Sequence, residues 1–242
     1  IASFSYRVPA QGWKPEGWTP PPKDESAKSM ISHNDVHIDQ AIKTPQFWKL
    51  WVVLCFNVTA GIGVIGVAKT MMVDIFGSTL PSVATATFAG TYVLMISVFN
   101  MCGRFFWASI SDFIGRKNTY HWFFALGTLL YLSIPYAASQ VSADPSVTWL
   151  VMFYGATMII FTMYGGGFAT IPAYLRDMFG PKQIGAIHGK LLLSWSMAAI
   201  IGPVIINYLR EYQMEVLNMP SADVYNLTMY LMAGLLFIGL LC

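Results

Sequence analysis

This sequence contains few charged residues for its length. Only 11% of its 242 residues are Asp, Glu, Lys or Arg, whereas 55% are hydrophobic, and the mean hydropathy is +0.54. A water-soluble domain carries about 25% charged residues, so the surface of an ordinary soluble enzyme cannot be built from this chain. The net charge is only +2, on scattered cations, which argues against a nucleic-acid partner because such partners need a basic patch.

Cysteine is also scarce, and its placement matches neither paired metal ligands nor a disulfide framework. Cys55 and Cys102 lie inside apolar stretches, and Cys242 is the last residue. A G-x-G-x-x-G pattern at 61–66 lies within an apolar block and follows no strand, so it indicates helix packing rather than a nucleotide site. The sequence also lacks a catalytic triad, a paired-carboxylate site and a phosphate loop. We therefore predict a protein that is not an enzyme and has no metal or cofactor.

Apolar residues, in contrast, are abundant and fall into six blocks long enough to cross a bilayer, which takes about 20 residues per helix. This pattern predicts an all-α, polytopic membrane protein with six transmembrane helices in residues 47–242. Short polar connectors make neighbouring helices antiparallel. The predicted spans are 47–72, 83–109, 120–138, 149–174, 185–209 and 224–242.

Residues 1–46 are polar and rich in proline, with Trp13 and Trp18 set among glycines and prolines. Proline at this density disfavours a helix, so we predict a linker or a surface arm that does not span the membrane. The sequence begins at Ile1 rather than Met and ends in an apolar run, and we expect a fragment or a processed chain.

The basic residues predict the orientation of the bundle. Cations lie in the arm and in the second and fourth connectors, at Arg116, Lys117, Arg176 and Lys182, whereas the opposite connectors are mainly acidic. Short loops rich in Lys and Arg stay on the cytoplasmic side or its equivalent. We therefore place the arm and both basic connectors inside. The organelle stays open, and the plasma membrane and the mitochondrial inner membrane are both compatible with this pattern.

The segment 108–117 carries the most specific local motif. It resembles the G-x-x-x-D-R-x-G-R-R loop of the major facilitator superfamily, with Ala108 in place of the first Gly and Phe113 in place of the first Arg. A carboxylate that ends one helix near the start of the next can pair with a cation in one conformation and release it in another. The alternative is that these are topology residues with an incidental Asp. The candidate switch residues are Asp112, Gly115, Arg116 and Lys117.

Further segments, in matching order along almost the whole chain, resemble the oxalate/formate antiporter family of that superfamily. This resemblance implies the central linker and helices seven to twelve of a twelve-helix carrier, which would act with an N-terminal six-helix half. The residues that carry it are Arg7, Pro9, Gly12, Trp13, Pro15, Gly17, Trp18 and Pro20 in the linker, Thr44 to Trp48, Ile171 to Tyr174 with Asp177, Phe179 and Gly180, His188 to Lys190, Ser194 to Ser196, and Gly202 with Pro203.

Arg104 is the candidate residue for substrate chemistry. It lies eight residues before Asp112, about 12 Å along a helix, which is too deep for comfortable snorkelling. An Arg inside a span costs at least about 2.5 kcal/mol unless it faces water or an anion. Ser97 and Asn100 precede it on the same helix face and complete a polar stripe. The resemblance implies that this Arg, on the eighth helix, binds the substrate carboxylate; the alternative is a structural Arg bonded to backbone carbonyls.

Lys190 and Trp195 are the candidates on the fifth span. Lys190 is about five residues into its helix, where it can either snorkel to the interface or contact the substrate. The oxalate carriers of the resembling family have a second cation deeper in this helix, at the place of Trp195. This departure favours a monocarboxylate or another small anion over a dicarboxylate.

Small and aromatic residues recur at helical spacing on two spans. The triple glycine 165–167 could let its helix bend, or could serve close packing, as could the stripe of Ser194, Ala198 and Gly202. On the fourth span, aromatic residues share one face, which is either a packed stripe or the lining of a cavity. These residues are Tyr154, Phe161 and Phe168.

These features predict a secondary transporter of small organic anions, of a monocarboxylate or oxalate/formate-like kind. The chain would be its C-terminal half and would work by alternating access. The alternative is a transport-inactive half-carrier that serves as a structural subunit of a larger membrane complex. In that case an exposed interface including the stripe from Ser194 to Gly202 would dock on a partner subunit.

Overall fold

A computed structural model describes residues 35–242 and, before them, Trp13, Glu16 and Gly17. The rest of the predicted arm lies outside the described residues. The described part is helical and contains no β-strand. Its elements are α1 (Ile38–Ala41), α2 (Pro45–Phe76), α3 (Ala86–Ile114), α4 (Arg116–Ala143), α5 (Val147–Phe179), α6 (Ile184–Leu191), α7 (Leu193–Glu211), a π-helical turn (Tyr212–Val216) and α8 (Asn226–Leu241).

The all-α, multi-pass fold is confirmed. Five helices are long and apolar enough to cross a membrane: α2, α3, α4, α5 and the stretch Ile184–Val216 that contains α6 and α7. The sixth predicted span corresponds to α8, which is apolar and has 16 residues. The second predicted connector is much shorter than expected, because Gly115 alone separates α3 from α4.

Local chemistry explains where the helices begin and end. The hydroxyls of Thr44 and Thr85 accept hydrogen bonds from Phe47 N (3.3 Å) and Phe88 N (3.2 Å), which caps α2 and α3. Gly115 has a φ of 88° and Gly180 a φ of 83°. Such angles favour glycine because it has no Cβ, so the chain can reverse sharply at both basic connectors.

The helices pack mainly as pairs, α3 on α5, α2 on α7 and α4 on α8. Glycines bring two of these pairs close together: Gly103 of α3 lies against the backbone of Thr162, and a Cβ on Gly202 of α7 would lie 2.8 Å from Thr59 O of α2. Ser194 and Ala198 are also fully buried. The expectation that the stripe from Ser194 to Gly202 is an exposed docking surface is therefore wrong, because these small residues are buried within the bundle.

The triple glycine 165–167 lies in the uninterrupted helix α5 and serves close packing. A Cβ on Gly166 would lie 2.5 Å from Trp107 Cβ, and one on Gly167 would lie 3.0 Å from Asn57 Oδ1. Of the two interpretations open from the sequence, the contacts favour packing over a bend.

The part of the arm next to the bundle is tied to the basic end of the helices. Val36 N donates to Phe179 O (3.0 Å), and Ile38 N donates to Gln183 Oε1 (2.9 Å). On the other side, Asp35 Oδ1 accepts from Lys182 N (3.2 Å). Residues 35–38 therefore lie against the connector between α5 and α6.

Candidate functional site

Arg104 of α3 lies against an aromatic cluster that α5 and α7 build together. Its guanidinium carbon is 5.1 Å from the ring centroid of Phe168 on α5. The Phe168 ring is in turn 4.5 Å from that of Trp195 on α7, in an edge-to-face arrangement. Tyr164, one turn before Phe168, has its ring 6.2 Å from Trp195. The structure thus brings the candidates Arg104 and Trp195 together through Phe168.

The guanidinium of Arg104 is free of counter-ions within the described part of the chain. Its side chain is exposed, and the four ion pairs found among the described residues do not include it. The contact with Phe168 is of the cation–π type and does not neutralise the positive charge. A cation on a spanning helix, beside aromatic rings and without a carboxylate partner, can attract an anion.

Asn100 and Ser97 share the α3 stripe with Arg104 but have different surroundings. Asn100 packs against Gly165, and its Oδ1 is buried without a hydrogen-bond partner in the described residues. The Ser97 hydroxyl is exposed and donates to Val93 O of its own helix (3.3 Å). Asn100 therefore has a side-chain oxygen that can still accept a hydrogen bond.

Lys190 is exposed near the end of α6, and within the described residues it makes no cation–π contact with the aromatic cluster. Leu192 separates α6 from α7, and Trp195 N donates to Leu192 O (3.0 Å), a tighter turn than that of an α-helix. Lys190 is therefore not part of the cluster at Arg104. The role of Lys190 as a substrate ligand stays a prediction.

Sequence reasoning missed the central position of Phe168 and the contribution of Tyr164. The seven-residue spacing grouped Phe168 with Tyr154 and Phe161, but Phe161 is fully buried and Tyr154 packs on Tyr92. The useful signal was the four-residue spacing of Tyr164 and Phe168, which places both rings on one face of α5.

Two of the candidate switch residues, Asp112 and Arg116, form a charge cluster with Asp177 at the basic end of the bundle. Arg116 bonds Asp112 Oδ1 and Ser111 Oγ, and its Nε is 3.5 Å from Asp177 Oδ2 on α5. The Asp112 side chain is 63% exposed, whereas those of Arg116 and Asp177 are only 15% and 16% exposed. The sequence indicated Asp177 only through the family resemblance and did not predict its ion pair with Arg116. Lys117 has no ion pair in the described part of the chain.

A second charge cluster lies at the opposite end of the bundle. Asp74 Oδ2, near the end of α2, accepts from Arg210 Nη2 (2.8 Å) and from the Tyr225 hydroxyl (2.8 Å). Arg210 Nε also donates to the same hydroxyl (2.8 Å). This triad connects α2, the end of α7 and the segment before α8, and no spacing in the sequence predicted it.

The apolar spanning helices define an integral, multi-pass membrane protein. Residues 12–203 match the family described as the Major Facilitator Superfamily. The chain belongs to this superfamily, and the resemblance found in the sequence is confirmed at that level.

Three curated relatives also match the chain. It is 28% identical over 183 residues to an oxalate:formate antiporter of Oxalobacter formigenes, covering 75% of this chain and 40% of the relative. It is 24% identical over 180 residues to an uncharacterized MFS-type transporter of Escherichia coli (strain K12), covering 74% and 41%. It is 25% identical over 178 residues to apicoplast pyruvate carrier 1 of Toxoplasma gondii, covering 74% and 30%. The chain therefore matches less than half the length of each relative.

Proposed function

We propose that this chain is the C-terminal six-helix part of a secondary carrier for small organic anions, and that Arg104 binds the anion. This proposal rests on one observation. Arg104 is exposed on a spanning helix, contacts Phe168, and has no carboxylate partner in the described part of the chain. The planar guanidinium presents a fork of donors that suits a carboxylate. Phe168 and Trp195 provide apolar surface beside the guanidinium, and a less polar surrounding strengthens this interaction.

The substrate class that fits best is a monocarboxylate. Arg104 supplies one cation at the site, and Trp195 stands where the oxalate carriers of the resembling family have a second. A second carboxylate would face an aromatic ring and lack a counter-charge, which is costly in a site of low polarity. The names of two relatives, an oxalate:formate antiporter and a pyruvate carrier, support carboxylates as the wider class.

Transport would proceed by alternating access against a second six-helix half. α3 and α7 leave large apolar side chains uncovered by this chain, including Phe105, Ile200 and Val204, and such faces suit a partner half or lipid. Breaking and re-forming the contacts of Arg116 with Asp112 and Asp177 would accompany the movement of the helix ends. The positive-inside pattern supports an orientation with these charges on the cytoplasmic side or its equivalent.

The thermal stability of the full-length protein in detergent tests the binding role of Arg104. Formate or pyruvate should raise the Tm of the parent, because a ligand that binds the folded state stabilises it. Arg104→Ala should abolish this rise, and Arg104→Lys should retain part of it. Arg176→Ala is the matched control, since Arg176 is exposed at the basic end of α5, and it should keep the full rise. An undiminished rise in Arg104→Ala would exclude Arg104 as the anion ligand.

A further inference from the structure

A groove of about 450 Å³ opens between α2, α4, α5 and α8, apart from the aromatic cluster at Arg104. Its polar lining includes Lys49, Lys117 and His121, and its apolar lining includes Leu50 and Phe124. The proposed transport function uses none of these residues except Lys117, which the sequence placed in the switch loop. The groove therefore needs an explanation of its own.

The side chains that line the groove are either basic or uncharged. Lys49, Lys117 and His121 are exposed, and the lining contains no Asp or Glu side chain. In the described part of the chain neither lysine forms an ion pair. His121 Nδ1 is 2.9 Å from Lys117 O, which leaves Nε2 as the ring nitrogen that can contact a ligand. The nearby carboxylates of Asp112 and Asp177 are both engaged by Arg116.

The cations lie close to the ends of their helices. Lys49 is four residues into α2 and Lys117 is the second residue of α4, so both are within about 6 Å of the ends of their helices. They belong to the end of the bundle that carries the basic connectors. Basic pockets between spanning helices on that side of a membrane suit the phosphate headgroups of acidic lipids.

The apolar part of the groove adds a second requirement for its ligand. Leu50, Val53 and Phe124 line it together with Leu240 and Leu241 of α8. A free phosphate would contact the lysines but would leave these side chains uncovered. A ligand with both an anionic head and a hydrocarbon chain would cover both parts, because burying apolar surface is favourable.

We propose that this groove binds an acidic phospholipid, with its phosphate at Lys49 and Lys117 and an acyl chain along α2 and α8. His121 contributes a third polar contact to the headgroup. The bound lipid connects the beginnings of α2 and α4 with the end of α8. Lys117 and Arg116 therefore have different roles at the basic connector. Lys117 binds the lipid headgroup, whereas Arg116 forms the ion pairs.

Native mass spectrometry of the full-length protein in detergent tests this proposal, with phosphatidylglycerol and phosphatidylcholine as probes. The parent should retain phosphatidylglycerol at least about tenfold better than phosphatidylcholine, since each lysine near the membrane surface favours an anionic lipid. The double variant Lys49→Gln/Lys117→Gln should lose this preference. The control Lys69→Gln/Lys182→Gln changes two exposed lysines that do not line the groove and should keep it.

A charge-conserving variant and a soluble anion complete the test. Lys49→Arg/Lys117→Arg should retain the lipid, and circular dichroism should show parental helix content in every variant. Inorganic phosphate in the millimolar range should not displace phosphatidylglycerol, because it lacks the acyl chain. Equal retention of both lipids by the parent, unchanged retention by the folded Gln variant, or displacement by inorganic phosphate would each overturn the proposal.

Discussion

Phe168 is central to the proposed anion site because its ring contacts both Arg104 and Trp195. A cation–π contact of this kind contributes about 0.5–2 kcal/mol. Replacing Phe168 by a residue without an aromatic ring removes the surface that the guanidinium of Arg104 contacts. The position of Arg104, and not its charge, should then change.

Phe168→Leu should therefore raise the KM for anion uptake several-fold while the protein stays folded. Phe153→Leu is the matched control, because Phe153 is on the same helix and fully buried but its ring packs on Phe76 and Tyr92, away from the aromatic cluster at Arg104. The control should lower the Tm, since truncating a packed core side chain costs about 1–3 kcal/mol, and it should leave the KM unchanged. Uptake kinetics and thermal unfolding of both variants separate the two roles. A parental KM in Phe168→Leu would contradict this role of the Phe168 ring.

The ends of α3, α4 and α5 are joined by the ion pairs of Arg116, and the two carboxylates contribute differently. Asp177 and Arg116 are both largely buried, whereas Asp112 is 63% exposed. An exposed i,i+4 pair contributes about 0.3–0.5 kcal/mol, while removing one partner of a largely buried pair costs more.

Asp177→Asn should accordingly lower the Tm more than Asp112→Asn does. The double variant should lower the Tm by more than the sum of the single effects, because only then does the largely buried Arg116 lose both carboxylates. Thermal unfolding of the three variants in detergent at one ionic strength provides the comparison. An equal or larger effect of Asp112→Asn would show that the link between α4 and α5 contributes little.

At the other end of the bundle, Tyr225 connects α2 and α7 through one hydroxyl, which donates to Asp74 and accepts from Arg210. Tyr225→Phe removes this hydroxyl and keeps the fully buried ring. Hydrogen bonds to charged groups contribute about 1.5–3 kcal/mol each, so a measurable decrease in Tm is expected. Tyr208→Phe is the control, because Tyr208 is exposed and makes no hydrogen bond through its hydroxyl in the described part of the chain. Equal Tm values for the two variants would contradict a connecting role for Tyr225.

On the scale of the whole molecule, hydropathy was sufficient to predict the bundle because the bilayer fixes the length and polarity of each span. Arg104 could be singled out because charges inside spans are rare. The contact of Arg116 with Asp177 and that of Arg104 with Phe168 depend on how distant helices pack, and no local spacing encodes this. The stripe from Ser194 to Gly202 shows the same limit: small residues indicate a close approach but do not identify the helix that approaches.

The size of the native polypeptide distinguishes the carrier from the structural subunit. The chain has a mass of 26.9 kDa and matches only 40% of the length of the antiporter relative. A carrier with two six-helix halves should have an intact mass of about twice 26.9 kDa. Mass spectrometry of the protein from its native membrane measures this directly. A mature chain near 26.9 kDa that copurifies with other membrane subunits would support the structural role instead.

Anion uptake into proteoliposomes is the most direct test of the carrier and of Arg104 within it. The full-length parent should take up labelled formate or pyruvate against an unlabelled anion inside the vesicles. Arg104→Ala should reduce uptake to about one-tenth or less, because the loss of about 1.4 kcal/mol of binding already changes affinity tenfold. Absence of uptake by the folded parent for every small carboxylate tested, or parental uptake by Arg104→Ala, would contradict the account.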